Sequence, residues 1–151
     1  MAAGFSMAIT NESSLRDILN KEMEEKLRDD ADLFIRKTET DAVIGSDDVT
    51  IDLANNIKLL APFGAGNHKP VLRLDNVKAT NIRYIGNNKQ HVKFIAENID
   101  CILFGKAQEN RDLLAEGNSI KIYGTPEVNS WMGRDNVQLT VREITENGDQ
   151  V

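Results

Sequence analysis

Within this chain of 151 residues, the residues best placed to do chemistry lie in one basic stretch. From Pro62 to Ala96 there are six bases, Lys69, Arg73, Lys78, Arg83, Lys89 and Lys93, against one acid, Asp75, a local net charge of +5. The whole chain carries −6, and residues 1–60 hold 13 acids against 7 bases, so the basic strip stands out from an acidic background. A clustered positive strip is the footprint that a phosphate backbone selects, although a solvated strand face has the same composition. In HVKFIAE, Val92, Phe94 and Ala96 share one parity, and His91, Lys93 and Ile95 share the other. A strand there points His91 and Lys93 off one surface, away from an apolar interior. Lys121 with Tyr123 and Thr140 with Arg142 repeat that spacing. Trp131 lies in the polar, glycine-containing stretch NSWMGRDN together with Arg134. It suits either a base-stacking platform or a cap over the mouth of a barrel.

Other chemistries lack their residues. His68 and His91 have no cysteine or carboxylate partners at metal-ligand spacing. There is no phosphate-loop lysine motif and no histidine–nucleophile constellation. The one cysteine, Cys101, excludes an internal disulfide and sits in the apolar run IDCILF, which suits a buried, inert thiol. No apolar run approaches the ~20 residues that span a bilayer, and the first residues do not read as a signal peptide. Location in a reducing cytoplasm is the expectation.

The elements that hold these residues follow from periodicity. Leu15, Ile18, Leu19, Met23 and Leu27 draw one apolar face on an amphipathic helix over NESSLRDILNKEMEEKLRD, capped by Asn11, Ser13 or Ser14. LFIRKTETDAVI reads as one strand or a short strand pair. A second helix, capped by Asp47 or Asp48, runs through Val49, Leu53, Ile57 and Leu60 and stops before Pro62. APFGAGNHKP is a loop and the expected boundary between two modules.

Beyond it the texture is that of strands. VLRLDNVKATNIRYIG switches parity between Leu74 and Val77, which predicts a bulge at Asp75–Asn76. HVKFIAE and IDCILF follow as strands, QENRDLLAEG as a short helix, and NSIKIYGTPEVNS and NVQLTVREI as the last two strands. The expected class is therefore an α+β N-terminal part, 1–61, followed by an all-β five-stranded OB-fold barrel with one short helix, 62–146, and a tail, 147–151. Another small barrel or a plain meander has a similar strand pattern. In an OB fold the strand 2–3 face and the loops between strands 1 and 2 and strands 4 and 5 bind single strands. Those loops are IGNNKQ, with Lys89, and NSWMGRDN, with Trp131 and Arg134. Arg73, Arg83, Lys93 and Arg134 would meet phosphates, and Trp131 and Tyr123 would stack bases.

Several strings resemble the RecJ exonucleases. Pro62–Pro70 fits the pattern PFG-x-GN-x-x-P, which includes Asn67; HVKF and IDCILF follow about twenty residues later; and NSWMGRDNVQLTVREI is similar to the last barrel strand of that family. MAAGFSM, at the start, resembles the stretch after the family's Gly-Gly-His motif. The resemblance implies the end of a DHH-associated domain joined to an OB barrel, in a piece that lacks the catalytic DHH domain. It implies a parent enzyme that degrades single-stranded DNA from the 5′ end with Mn²⁺ or Mg²⁺, no cofactor in this piece, and a phosphate-contacting remnant at Ala2, Ala3 and Gly4. Single-stranded DNA is the expected partner, in DNA repair and recombination. Single-strand-binding protein is a second expected partner, the barrel then serving as a structural or docking module. An unpaired sheet edge in 1–61 would favour a dimer in a crystal.

Overall fold

The computed structural model describes Ser6 and residues 8–29, 38–115 and 117–147. By packing, the chain divides into two units, Met1–Lys37 and Thr38–Val151. Residues 38–61 fall in the second unit, with the strands.

In the first unit a 3-10 turn, Ile9–Asn11, leads directly into helix α1, Glu12–Asp29. Asn11 closes the 3-10 turn by donating its N–H to the Ala8 carbonyl (3.0 Å), and Ser13 and Ser14 lie inside the helix. Glu12 in the first turn and Lys26 and Arg28 in the last complement the helix dipole. Glu12 also pairs with Arg16 one turn on. The apolar stripe Ile18, Leu19, Met23 and Leu27 is exposed.

The second unit begins with a two-residue strand, β1 (Ala42–Val43), parallel to the start of β2 (Leu72–Ile85). It is all that the described residues show of the strand expected over 33–44, since 33–37 lie outside them. Helix α2, Ile51–Leu59, is capped by Thr50, whose hydroxyl accepts the Leu53 N–H (3.1 Å), and not by Asp47 or Asp48. Those two belong to a preceding 3-10 turn, where the Asp48 carboxylate accepts the Gly45 N–H (3.0 Å). α2 buries Ala54 and Ile57 and packs against strand β5, Ser119–Trp131. The turn after it is closed by paired backbone hydrogen bonds between Gly64 and Asn67.

The remaining strands are β3 (His91–Ala96), β4 (Ile99–Leu103) and β6 (Arg134–Glu146). The sheet order is β1-β2-β3-β4-β6-β5, with β5 also paired to β2. Only the β1–β2 and β4–β6 pairs are parallel. Besides β1, β2 serves both β5 and β3 because it bends: Leu72–Lys78 pair with β5 and Ala79–Ile85 with β3. The register slips between Leu74 and Val77, where Asn76 takes a φ of 58°, so the bulge lies where the parity switch put it. A second slip lies between Thr80 and Arg83, with Asn81 at a φ of 52°. Extra residues of this kind bend a strand and sharpen its twist.

The apolar parity fills one interior. Leu74, Val77, Val92, Phe94, Cys101, Leu103, Ile120, Ile122 and Leu139 are all at most 3% exposed. Each large side chain so buried contributes about 1.5–3 kcal/mol. The short helix expected over 108–117 is not formed: residues 107–115 make consecutive turns instead. The N–H groups of Asn110 and Leu114 reach back four residues, those of Arg111 and Ala115 only three. The segment is short for a cooperative helix, and the Asn110 amide competes by bonding the Lys106 carbonyl (2.9 Å). Its Ala107 and Leu114 are nevertheless fully buried and belong to the core.

Cys101 is 1% exposed, and its thiol is pushed up to about 12 by burial, with Asp100 adding to the rise and a backbone hydrogen bond at Ala96 opposing it. At pH 8 an aromatic disulfide reagent is expected to leave it untouched in the folded protein and to titrate one thiol per chain in denaturant. Rapid reaction in buffer alone would mean that this strand opens.

Candidate nucleic-acid interface

β2 and β3 place Arg83 and Lys93 directly opposite one another as register partners. Both side chains are exposed, because Ile82 and Tyr84 on one strand and Val92 and Phe94 on the other take the inward parity. Neither cation has a carboxylate partner among the described residues. Arg83 Nε donates only to the Asn81 amide oxygen (3.1 Å). Like charges directly across a ladder are destabilising, so this arrangement favours an anion between or above them.

The two cations line a cleft of about 180 Å³ with Asn81, Ile95, Asp100, Asn129 and Gln138. Asp100 is its one acid; its register partners are Ile95 and Gln138, not the two cations. Asn81, Asn129 and Gln138 were not anticipated. Gln138 could have been: it shares with Thr140 the polar parity of NVQLTV. Asn81 comes from the second bulge.

Lys89, exposed at a φ of 53° in the turn after β2, donates its N–H to the Gly86 carbonyl (3.0 Å) two residues before His91. His91 is half-buried. Its Nδ1 accepts the Gly105 N–H (2.9 Å), and its ring meets Phe104 edge to face at 5.3 Å. His91 and Lys93 therefore share a face next to Arg83. The β5–β6 hairpin extends well past the Gly124 end of the β2–β5 pairing. Its turn is only Met132–Gly133, both at positive φ, so Trp131 and Arg134 are a cross-strand pair at its tip and not part of a wide loop. Arg134 is exposed there, and the Trp131 side chain lies outside the described residues. The tip is two residues, about 7 Å, beyond Asn129 of the cleft.

Other expected site residues stand elsewhere. Tyr123 is 1% exposed on the strand that α2 packs against, so it offers no ring to a base; the expectation that it stacks is corrected. Arg73 pairs in register with Tyr123 on the other half of β2, and its guanidinium is held by Asp75 at 2.9 and 3.1 Å. Asn67 uses its amide to bond the Leu60 and Pro62 carbonyls (2.8 and 3.0 Å), which is a structural role for the turn. Ala2, Ala3 and Gly4 lie outside the described residues. Among the described residues there is no group of three or more His, Cys, Asp or Glu placed to hold a metal ion, and no helix long and apolar enough to cross a membrane.

A second cleft, of about 380 Å³, lies between α2, Phe63 and β5. At its edge Lys69 pairs with Glu127, and Glu127 accepts a further hydrogen bond from Thr140 (2.6 Å). Partial burial alone would raise the Glu127 carboxyl, but these partners outweigh it and hold the group below its ordinary 4.5. The sign follows: the pair adds stability above that range, and the contribution is lost as pH falls through the lowered value. Glu127→Gln is expected to cost no more than about 1 kcal/mol at neutral pH, because both side chains are substantially exposed, and to flatten the acid limb of stability against pH. Unchanged acid limbs in urea titrations of the two proteins would remove this role.

A single-stranded-DNA-specific exonuclease RecJ from Bacillus subtilis (strain 168) is 33% identical over 147 residues; the match takes in 95% of this chain and 18% of that protein. The chain thus spans less than a fifth of that relative. Among solved structures, RecJ of Thermus thermophilus in complex with Mg²⁺ aligns over 61% of this chain and 14% of that one, at a TM-score of 0.46 and 18% identity. A replication protein A heterotrimer bound to single-stranded DNA aligns over 66% of this chain and 79% of that one, at a TM-score of 0.38 and 15% identity. The family model for the RecJ OB domain matches residues 40–143, which is most of the chain, and the chain belongs to that family.

Proposed function

We propose that this chain holds single-stranded DNA, as the nucleic-acid-binding portion of a longer, RecJ-like single-strand-specific exonuclease of DNA repair and recombination. One observation carries the reading: Arg83 and Lys93 face each other on an exposed cleft with no carboxylate partner among the described residues. A phosphate backbone is the ligand that offsets such a pair without demanding sequence. On this reading β2 to β6 form a small, partly open barrel. His91 and Lys89 extend the charged track at one end, and Trp131 and Arg134 border the strand from the hairpin tip. Residues 62–146 act as the DNA-holding domain, and 1–61 as the end of the DHH-associated domain that joins it to the nuclease, with 38–61 docked on the strands. On this reading hydrolysis with Mn²⁺ or Mg²⁺ belongs to other parts of the longer protein, which acts in the cytoplasm.

The test is fluorescence anisotropy with a labelled oligothymidine at low and at moderate salt, with duplex of the same length as competitor. Saturable binding that weakens with salt and resists the duplex supports the reading. No binding at low salt, together with recovery of single-strand-binding protein in a pull-down, would replace it with the partner-docking role.

A further inference from the structure

Phe104 is the large apolar side chain that stands out on this face. β4 is almost wholly buried up to Leu103, yet the next residue, Phe104, is 55% exposed. Leu59, Leu60 and Met132 are exposed too, at the end of α2 and at the hairpin tip, but Phe104 is an open ring directly after a strand of the core. The register explains its position. Val92 pairs with Leu103 on β3, and Leu103 with Val141 on β6, so Phe104 continues the row between His91 and Arg142.

The ring is also held. It meets the His91 imidazole at an interplanar angle of 72°, an edge-to-face contact that leaves the two rings uncovered by parallel stacking. His91 is fixed in turn by the Gly105 N–H on Nδ1, and the positive φ of Gly105 (73°) shapes the turn that aims this donor. A neutral imidazole that accepts at Nδ1 carries its proton on Nε2, so His91 keeps one donor of its own. Near it in register are cations, Lys93 two residues along β3 from His91, Lys106, whose ammonium bonds the Arg142 carbonyl (3.0 Å), and Arg142 itself, together with Ile85, the partner of His91, and the buried Ile102. A protein partner seeking an apolar anchor would find one exposed ring bordered by cations, not a wide apolar patch. A nucleotide offers what this surface lacks, a flat π-face together with a phosphate.

We propose that Phe104 is a nucleobase-stacking position at the His91 end of the cleft, with His91 as the residue that positions the ring. The inference rests on the reading of the cleft as a DNA-holding face. The stacked base lies on Phe104 while its flanking phosphates meet Lys93 and Lys106 or Arg142. Because every base has a π-face, the position is tolerant of sequence and sensitive to the loss of a base.

The test compares an oligothymidine with an abasic oligomer of equal length, measured by anisotropy on the 151-residue chain. Phe104→Ala and Phe104→Leu are expected to weaken oligothymidine binding roughly tenfold and to leave abasic binding within about twofold. Phe104→Trp in a Trp131→Phe background is expected to match the affinity of Trp131→Phe alone and to show emission quenched by oligothymidine but not by the abasic strand. Lys93→Ala is expected to weaken both ligands. If Phe104→Leu binds oligothymidine like the parent while Lys93→Ala weakens both ligands, the stacking position is wrong and the cleft stands. If Lys93→Ala changes neither, the cleft is wrong and the stacking position falls with it.

Discussion

Replacing Arg83 and Lys93 together with alanine is expected to lower affinity for a short oligothymidine by at least about tenfold at low salt, and to leave the fold intact. Each cation can give a phosphate a charge-assisted hydrogen bond, of the order of 1.5–3 kcal/mol where water is partly excluded, and every 1.4 kcal/mol is tenfold. Removing two single-strand phosphate contacts should also flatten the dependence of log affinity on log salt by about 1.4. That slope distinguishes a lost phosphate contact from a distorted surface. Folding should not suffer, because both side chains are exposed and neither forms an ion pair among the described residues. Relief of the like-charge contact across β2 and β3 gives the double variant equal or slightly greater stability. Arg73→Ala is the control: its guanidinium already serves Asp75 on the other half of β2, so its loss should leave DNA affinity nearly unchanged. Equal losses from Arg73→Ala and from the double variant would mean that net charge, and not this cleft, attracts the strand.

The largest effect on stability is expected from Gly124→Ala. Gly124 lies at the register slip where β5 is paired with both β2 and β6. A methyl group there would sit 2.7 Å from the Thr140 carbonyl oxygen, 3.1 Å from Leu139 Cγ and 3.2 Å from the Val141 Cα. Two of those three atoms are backbone in a paired strand and a third belongs to a fully buried core residue, so little can yield. Overpacking of this kind costs about 1–3 kcal/mol, and each kcal/mol lowers the melting temperature of a domain near this size by about 2–6 °C. Gly66→Ala, where the added atom meets nothing within 4 Å, should stay within about 0.5 kcal/mol of the parent. A Gly124→Ala protein that melts with the parent would show that β5 and β6 are more loosely joined than this register requires.

Local alternation made much of this fold readable. Val92, Phe94 and Ala96 gave β3 and its orientation, and the parity switch from Leu74 to Val77 gave the first bulge. The step from Ala79 to Ile82 is a switch of the same kind and marks the second bulge, the one that brings Asn81 into the cleft. Features that depend on distant chain were not readable. Tyr123 takes the parity opposite to Ile122, yet it is 1% exposed, and its burial depends on chain distant in sequence. Arg73 and Asp75 stand two apart, which permits a pair, but competition between Asp75 and a phosphate is settled by burial. The 107–115 segment carries a helical pattern, and tertiary burial of Ala107 and Leu114 holds it as turns. Thr50 displaced Asp47 and Asp48 as a cap because those two close a 3-10 turn of their own. For the site, the sequence supplied His91, Lys93 and Arg83 but not the fact that Arg83 and Lys93 face each other, which depends on the register beyond the second bulge.

The most direct test of the DNA-holding cleft is a two-dimensional NMR titration of the isotope-labelled chain with a short oligothymidine. The largest shift changes are expected at Asn81, Arg83, His91, Lys93, Phe104 and Gln138, fading together as salt is raised. Saturable binding whose shift changes fall instead on α2 and Arg73, with β3 silent, would contradict it.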